Sequence, residues 1–165
     1  MTDSLIDAES AARVGTVAAT ATGEVLRRDW QRWAAAVGDD NPLWFDTGYA
    51  RANGYRDIIC PPLHLQYAIL GVSPLPSLRP DGSSGAVSGS LAFPRAPKRM
   101  AGGESFRFHL PAYHRDEVEM VRTISSIVEK DGRSGRFVLV TWHTVYHNQN
   151  RELLAEATTS MIARP

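Results

Sequence analysis

Cysteine is almost absent: the 165 residues contain one, Cys60. A single thiol cannot close a disulfide within the chain, so nothing points to an oxidising compartment. Long hydrophobic runs are missing too, and a bilayer span needs roughly 20 apolar residues in a row. Met1 to Arg13 carries Asp3, Asp7 and Glu9 without an apolar stretch, unlike a signal peptide. A cytoplasmic protein without a membrane segment is expected. Neither sign of charge dominates, because 18 Lys and Arg balance 18 Asp and Glu. A neutral chain lacks the positive field that non-specific nucleic-acid binding needs, and it has little repulsion to oppose self-association. No glycine-rich phosphate loop, dinucleotide fingerprint or zinc-ligand spacing occurs, so neither a metal nor a redox cofactor is expected.

What is present is a globular composition, 43% apolar and 22% charged, at a length that suits one core. Residues 1–13 read as a loose polar lead-in and 14–165 as one domain. Val14 to Leu26, rich in Val, Thr and Ala, suits a strand. Asp29 is a helix N-cap candidate, Trp30, Trp33, Ala34 and Val37 follow at helical spacing, and Gly38 is a stop. Thr47 to Asn53 suits a second, short helix. Pro61 and Pro62 fit the first turn of a third, and Leu63 to Leu70 is apolar nearly all round, the pattern of a buried helix. A loop with Pro74, Pro76, Pro80, Gly82 and Gly85 follows. Ser105–Leu110, Glu117–Lys130, Arg136–His147 and Leu153–Ile162 read as strands, with a hairpin connection at Asp131 to Gly135. Helices gathered on one side of an antiparallel sheet make an α+β domain.

The sharpest local pattern is Gly38-Asp39-Asp40-Asn41-Pro42-Leu43-Trp44, which resembles the hydratase motif of the MaoC family, G-D-x-N-P-[LI]-H. Tyr49-Ala50, Gly54-Tyr55 and Ile58-Ile59-Cys60-Pro61-Pro62 resemble the same family, the last its "I-A-P-P" approach to the central helix. Pro97 to Gly103, Phe106 to His109 and Glu129 to Gly135 resemble its FAS1-like dehydratase branch. The order and spacing of these segments, over roughly Val17 to Ile162, carry the resemblance more than any one of them. It implies a hot-dog fold, with an antiparallel sheet wrapped around a central helix. It also implies a CoA or acyl-carrier thioester as substrate and reversible addition of water to the α,β bond. Hot-dog domains of this kind pair their sheets edge to edge, so a homodimer, or a heterodimer with a second MaoC-like chain, is implied.

In that family the motif Asp and His hold the water and move its protons, work that needs two groups within reach of one water. A main-chain N–H at the start of the central helix meets the charge on the thioester oxygen. Here Asp39 matches the motif Asp, but Trp44 stands at the His position, and an indole offers one donor and no base. Pro61 and Pro62 offer no N–H at the helix start, leaving the Leu63 and His64 amides for a thioester seated deeper. Three readings stay open. The site is rebuilt around Asp39, Asn41 and His64; or the chain is a non-catalytic acyl-binding subunit of a heteromeric hydratase; or it is a MaoC-derived biosynthetic cyclase or isomerase.

Each candidate also has a plain structural reading. Asp39 and Asn41 make good turn formers, Trp44 a packing residue, and His64 a core histidine. Trp44, Tyr49, Pro62 and Leu63 are the expected substrate contacts. Arg95, Lys98 and Arg99 are either a solvated loop or contacts for the phosphates of CoA. His143 and His147 share a strand face without a nearby carboxylate and read as structural, while His109 and His114 flank a strand end at the surface. No motif pairs Cys60 with His64, and Cys60 reads as a small buried apolar residue. Residues 73–103 are expected to set the choice of substrate.

Overall fold

In a computed structural model, which describes residues 4–70, 75–78, 80 and 91–165, five strands form one antiparallel sheet. They are β1 Val17–Glu24, β2 Lys98–Phe108, β3 Glu117–Gly132, β4 Gly135–His147 and β5 Leu153–Arg164, ordered β1-β3-β4-β5-β2. Alternation along β4 and β5 sets the faces. Val138, Val140, Thr144 and Tyr146, with Ala155, Ala157, Thr159 and Ala163, are buried on the inner face. The β3–β4 hairpin closes with Gly132 opposite Gly135, as its turn residues suggest.

The helical segments lie against that inner face: α1 Ala8–Ala12, α2 Arg27–Val37, α3 Thr47–Ala52 and α4 Leu65–Ala68. Trp30 and Ala34, one turn apart on α2, are fully buried against Val118, Tyr146, Leu154 and Ala157 in a first apolar cluster. Leu5, Leu91, Phe93 and Ala96 cover Ile124, Val138, Val140 and Ala163 in a second cluster at the other end of the face. α4 reaches the sheet through a close approach. The inner positions of β1 are small, and a Cβ on Gly23 would lie 1.8 Å from the Ala68 carbonyl oxygen.

Several expectations need correction. Within the expected lead-in, residues 8–12 form α1, capped by Asp7, whose Oδ1 accepts the Ser10 N–H at 2.6 Å, and Leu5 is buried. β1 starts at Val17 and ends at Glu24. Asp29 is in the first turn of α2, not at its cap; Leu26 holds the cap position, and the Arg27 N–H is taken by His114 Nδ1 at 3.3 Å. β2 starts at Lys98, seven residues before the expected Ser105, because a strand that among the described strands pairs with β5 alone needs no apolar alternation. The helix expected over Leu63–Leu70 shrinks to a 3₁₀ turn, Pro62–His64, and the single turn of α4. It is not buried all round, since Leu63, Tyr67 and Leu70 are 46%, 52% and 64% exposed. Gly38 does end α2 in the left-handed region, at φ 72. Of the loop residues 73–103, 98–103 belong to β2, and 73, 74, 79 and 81–90, including Pro74, Gly82 and Gly85, lie outside the described residues.

Candidate functional site

The segment after α2 is built by its own side chains. Asp39 Oδ1 accepts the Asn41 N–H at 3.2 Å, and Asn41 Oδ1 accepts the Leu43 N–H at 3.0 Å. Both residues do the work of turn formers, as Asp and Asn do before a proline turn. The turn delivers Trp44 into the first cluster, where it is 6% exposed. Its carbonyl accepts from Trp30 Nε1 at 3.3 Å and Gln31 Nε2 at 3.2 Å, while its own Nε1 has no partner among the described residues. The position where the motif has a proton-moving imidazole therefore holds a packed indole.

His64 does not turn to Asp39. Its ring lies 5.7 Å from Trp33 and 5.9 Å from Tyr67, and its Nδ1 is 3.6 Å from Cys60 Sγ. His64 is 4% exposed, and burial holds its imidazole below the ordinary value, with Asp29 acting weakly the other way. It is thus a neutral ring at pH 7. The contact with Cys60, which no motif announced, is not a nucleophile pair: burial, with a smaller push from Asp116, raises the thiol to about 12. Such a thiol stays protonated and inert.

The pocket beside this pair has about 190 Å³ of space and is mainly apolar. Tyr55, Ile59, Cys60, Pro62 and Leu65 wall it on the helical side, and Phe108, Leu110 and Ala112 on the side of β2 and the segment after it. It sits where the chain enters the short central helix. The His64 amide there is engaged by the Pro61 carbonyl at 2.8 Å, which leaves Leu63 of the two expected donors. Of the expected substrate contacts only Pro62 lines this pocket. Tyr55 lines the pocket, and Tyr49 is 46% exposed on α3.

The basic cluster is dispersed. Arg95 donates to Ser4 O at 2.8 Å, Lys98 to Pro165 O at 3.1 Å, and Arg99 to Leu91 O. These main-chain contacts hold the two chain ends and the 91–96 segment together. His143 has a carboxylate after all. β5 places Glu156 3.6 Å from His143 Nε2 and 3.3 Å from His109 Nε2, a cross-strand set that sequence spacing could not show. Among the described residues no group of His, Cys, Asp and Glu is arranged to hold a metal ion. No described helix is long and apolar enough to cross a membrane.

Comparison with known proteins places this geometry. The family model of the FAS1-like, dehydratase domain region matches residues 12–157. A UPF0336 protein of Parafrankia sp. (strain EAN1pec) is 33% identical over 141 residues, which is 86% of this chain and 84% of that protein. A probable enoyl-CoA hydratase alpha subunit of Thermomonospora curvata is 28% identical over 130 residues, 76% of this chain and 40% of that longer protein. Among solved structures, a chain of the ChsH1-ChsH2 complex from Mycobacterium tuberculosis is alike in fold. Its TM-score is 0.69 at 19% identity, covering 89% of this chain and 83% of that one. Sheet order, helical layer and family match agree, and the chain belongs to the FAS1-like, MaoC-related dehydratase family with its hot-dog fold.

Proposed function

We propose that this chain is the acyl-thioester-binding, non-catalytic subunit of a heteromeric hydratase or dehydratase. The observation that carries this reading is the packed Trp44 at the motif His position, with Asp39 engaged in its own turn. Hydration adds the hydroxyl of water to Cβ of the enoyl thioester and a proton to Cα, and it needs a base and an acid on one water. Among the described contacts, no Asp–His pair serves that water. What the chain offers is an apolar pocket at the start of the central helix, fit for an acyl chain.

A second chain is supported by two further features. Among the described strands β2 pairs with β5 alone, and Phe108 and Leu110, at its end, are 44% and 46% exposed. An exposed apolar edge of this kind asks to be covered. The Thermomonospora relative is named a probable enoyl-CoA hydratase alpha subunit, and the ChsH1-ChsH2 structure is a complex. The partner supplies the Asp and His, and this chain supplies acyl-chain contacts.

Purified alone and given crotonyl-CoA or trans-2-octenoyl-CoA, the chain should leave the enoyl absorbance unchanged at high protein concentration. Turnover well above background that is lost in His64→Ala would overturn the reading in favour of a site rebuilt around His64.

A further inference from the structure

Between the two apolar clusters the inner face of the sheet is polar. Along β3, Met120 belongs to the first cluster and Ile124 to the second, and Arg122 stands between them. Along β4, Thr144 stands between Tyr146 and Trp142; along β5, Thr159 stands between Ala157 and Met161. Arg122 and Thr144 are cross-strand partners, as are Trp142 and Thr159. Three strands thus contribute one polar row in a face that is otherwise apolar.

Arg122 crosses this row. Its Nη2 donates to Thr159 Oγ1 at 2.6 Å, and its guanidinium lies 4.8 Å from the centre of the Trp142 ring. Its Nε is buried and has no partner among the described residues, and none of their carboxylates forms a salt bridge with it. Burial works against its charge. Glu104, opposite Thr159 on β2, forms no ion pair with Arg122 but, with Tyr146, favours its charge through space, and being exposed it is partly screened by solvent. A half-buried guanidinium held by a hydroxyl and a ring, with donors left over, is suited to bind an anion.

Arg122 and Thr159 do not line the pocket, but the inner face of β2 leads from the pocket to the level of Thr159. Phe108 lines the pocket, Phe106 follows on the same face of β2, stacked on it at 5.8 Å, and Glu104 is next. Four residues of strand, at about 3.3 Å each, put the polar row about 13 Å from Phe108. On the reading of the chain as an acyl-thioester subunit, we infer that Arg122 selects acyl groups of medium length that carry a carboxylate at their far end. Thr159 orients the guanidinium and the Trp142 ring supports it from one side.

The test is calorimetric titration of the purified chain with suberyl-CoA and octanoyl-CoA, which match in length and differ in the terminal carboxylate. The chain should bind suberyl-CoA about tenfold more tightly. Arg122→Met should abolish that preference while holding octanoyl-CoA at least as well, and Arg122→Lys should keep part of it. The Met variant should melt within about 2 °C of the parent or above it, because an unpaired buried charge is replaced by an apolar chain. Equal affinity of the parent for the two thioesters would overturn the inference alone. So would a Met variant that melts far lower and weakens both ligands equally, which marks Arg122 as structural. Failure of the parent to bind either thioester would overturn the acyl-thioester reading and this inference with it.

Discussion

Gly23→Ala should lower the melting temperature by about 10 °C, a loss of about 3 kcal/mol for a chain of this size. The added methyl would sit 1.8 Å from the Ala68 carbonyl oxygen and 2.7 Å from its carbon, and both are main-chain atoms that no rotamer change can move. Either β1 leaves β3 or the end of α4 leaves the sheet. The second is the softer response, since α4 is a single turn and Tyr67 within it and Leu70 after it are largely exposed. Gly48→Ala on α3 is the control. Its methyl would meet only the Asp46 carboxylate, the N-cap of α3, at 3.2 Å, a side chain that can give by a few tenths of an ångström, and its expected cost is below about 1 kcal/mol. Thermal melts of the two variants decide the matter. Equal melting temperatures would mean that α4 does not rest on β1 as described.

Trp44→His, which rewrites the motif to its usual form, should cost about 3 kcal/mol and produce no hydratase activity. The indole is buried in the first cluster with Trp30, Ala34 and Ile58 among its members, and an imidazole there leaves a void and two buried ring nitrogens. Catalysis does not appear, because Asp39 remains committed to the Asn41 amide and the new ring lies in the core. Trp44→Phe should cost much less, about 1 kcal/mol, because the Nε1 it removes has no partner among the described residues. Denaturant unfolding of both variants, with the enoyl-CoA assay on Trp44→His, checks this. Measurable turnover by Trp44→His would show that the indole blocks a site otherwise complete.

The sequence was most legible where structure is local and periodic. Alternation marked β3, β4 and β5, the spacing of Trp30, Ala34 and Val37 marked α2, and Gly38 marked its end. The order of motifs placed the whole in its family. Expectations failed where distant residues decide. His114 capping Arg27 moves the start of α2, and no feature of residues 27–29 announces a partner 87 positions away. Lys98 to Gly103 is strand because β5 offers a ladder, not because its own residues favour one. Leu63 to Leu70 carries the composition of a buried helix, yet two prolines and a short reach leave half of it in contact with solvent. The same limit governs the site. Asp39 and Asn41 were visible as a motif and behave as a turn. Arg122 and Glu156 stayed hidden, because each acquires its partners across strands, while the Cys60–His64 contact, four residues apart, has no motif to announce it.

The account is tested most directly by titrating trans-2-octenoyl-CoA into the purified chain and following heat and enoyl absorbance in the same sample. Saturable heat of binding with the absorbance fully retained is the expected result, and it describes a subunit that holds the thioester and leaves the chemistry to its partner. Loss of the absorbance at a rate proportional to protein would contradict the account, placing a working acid and base within this chain.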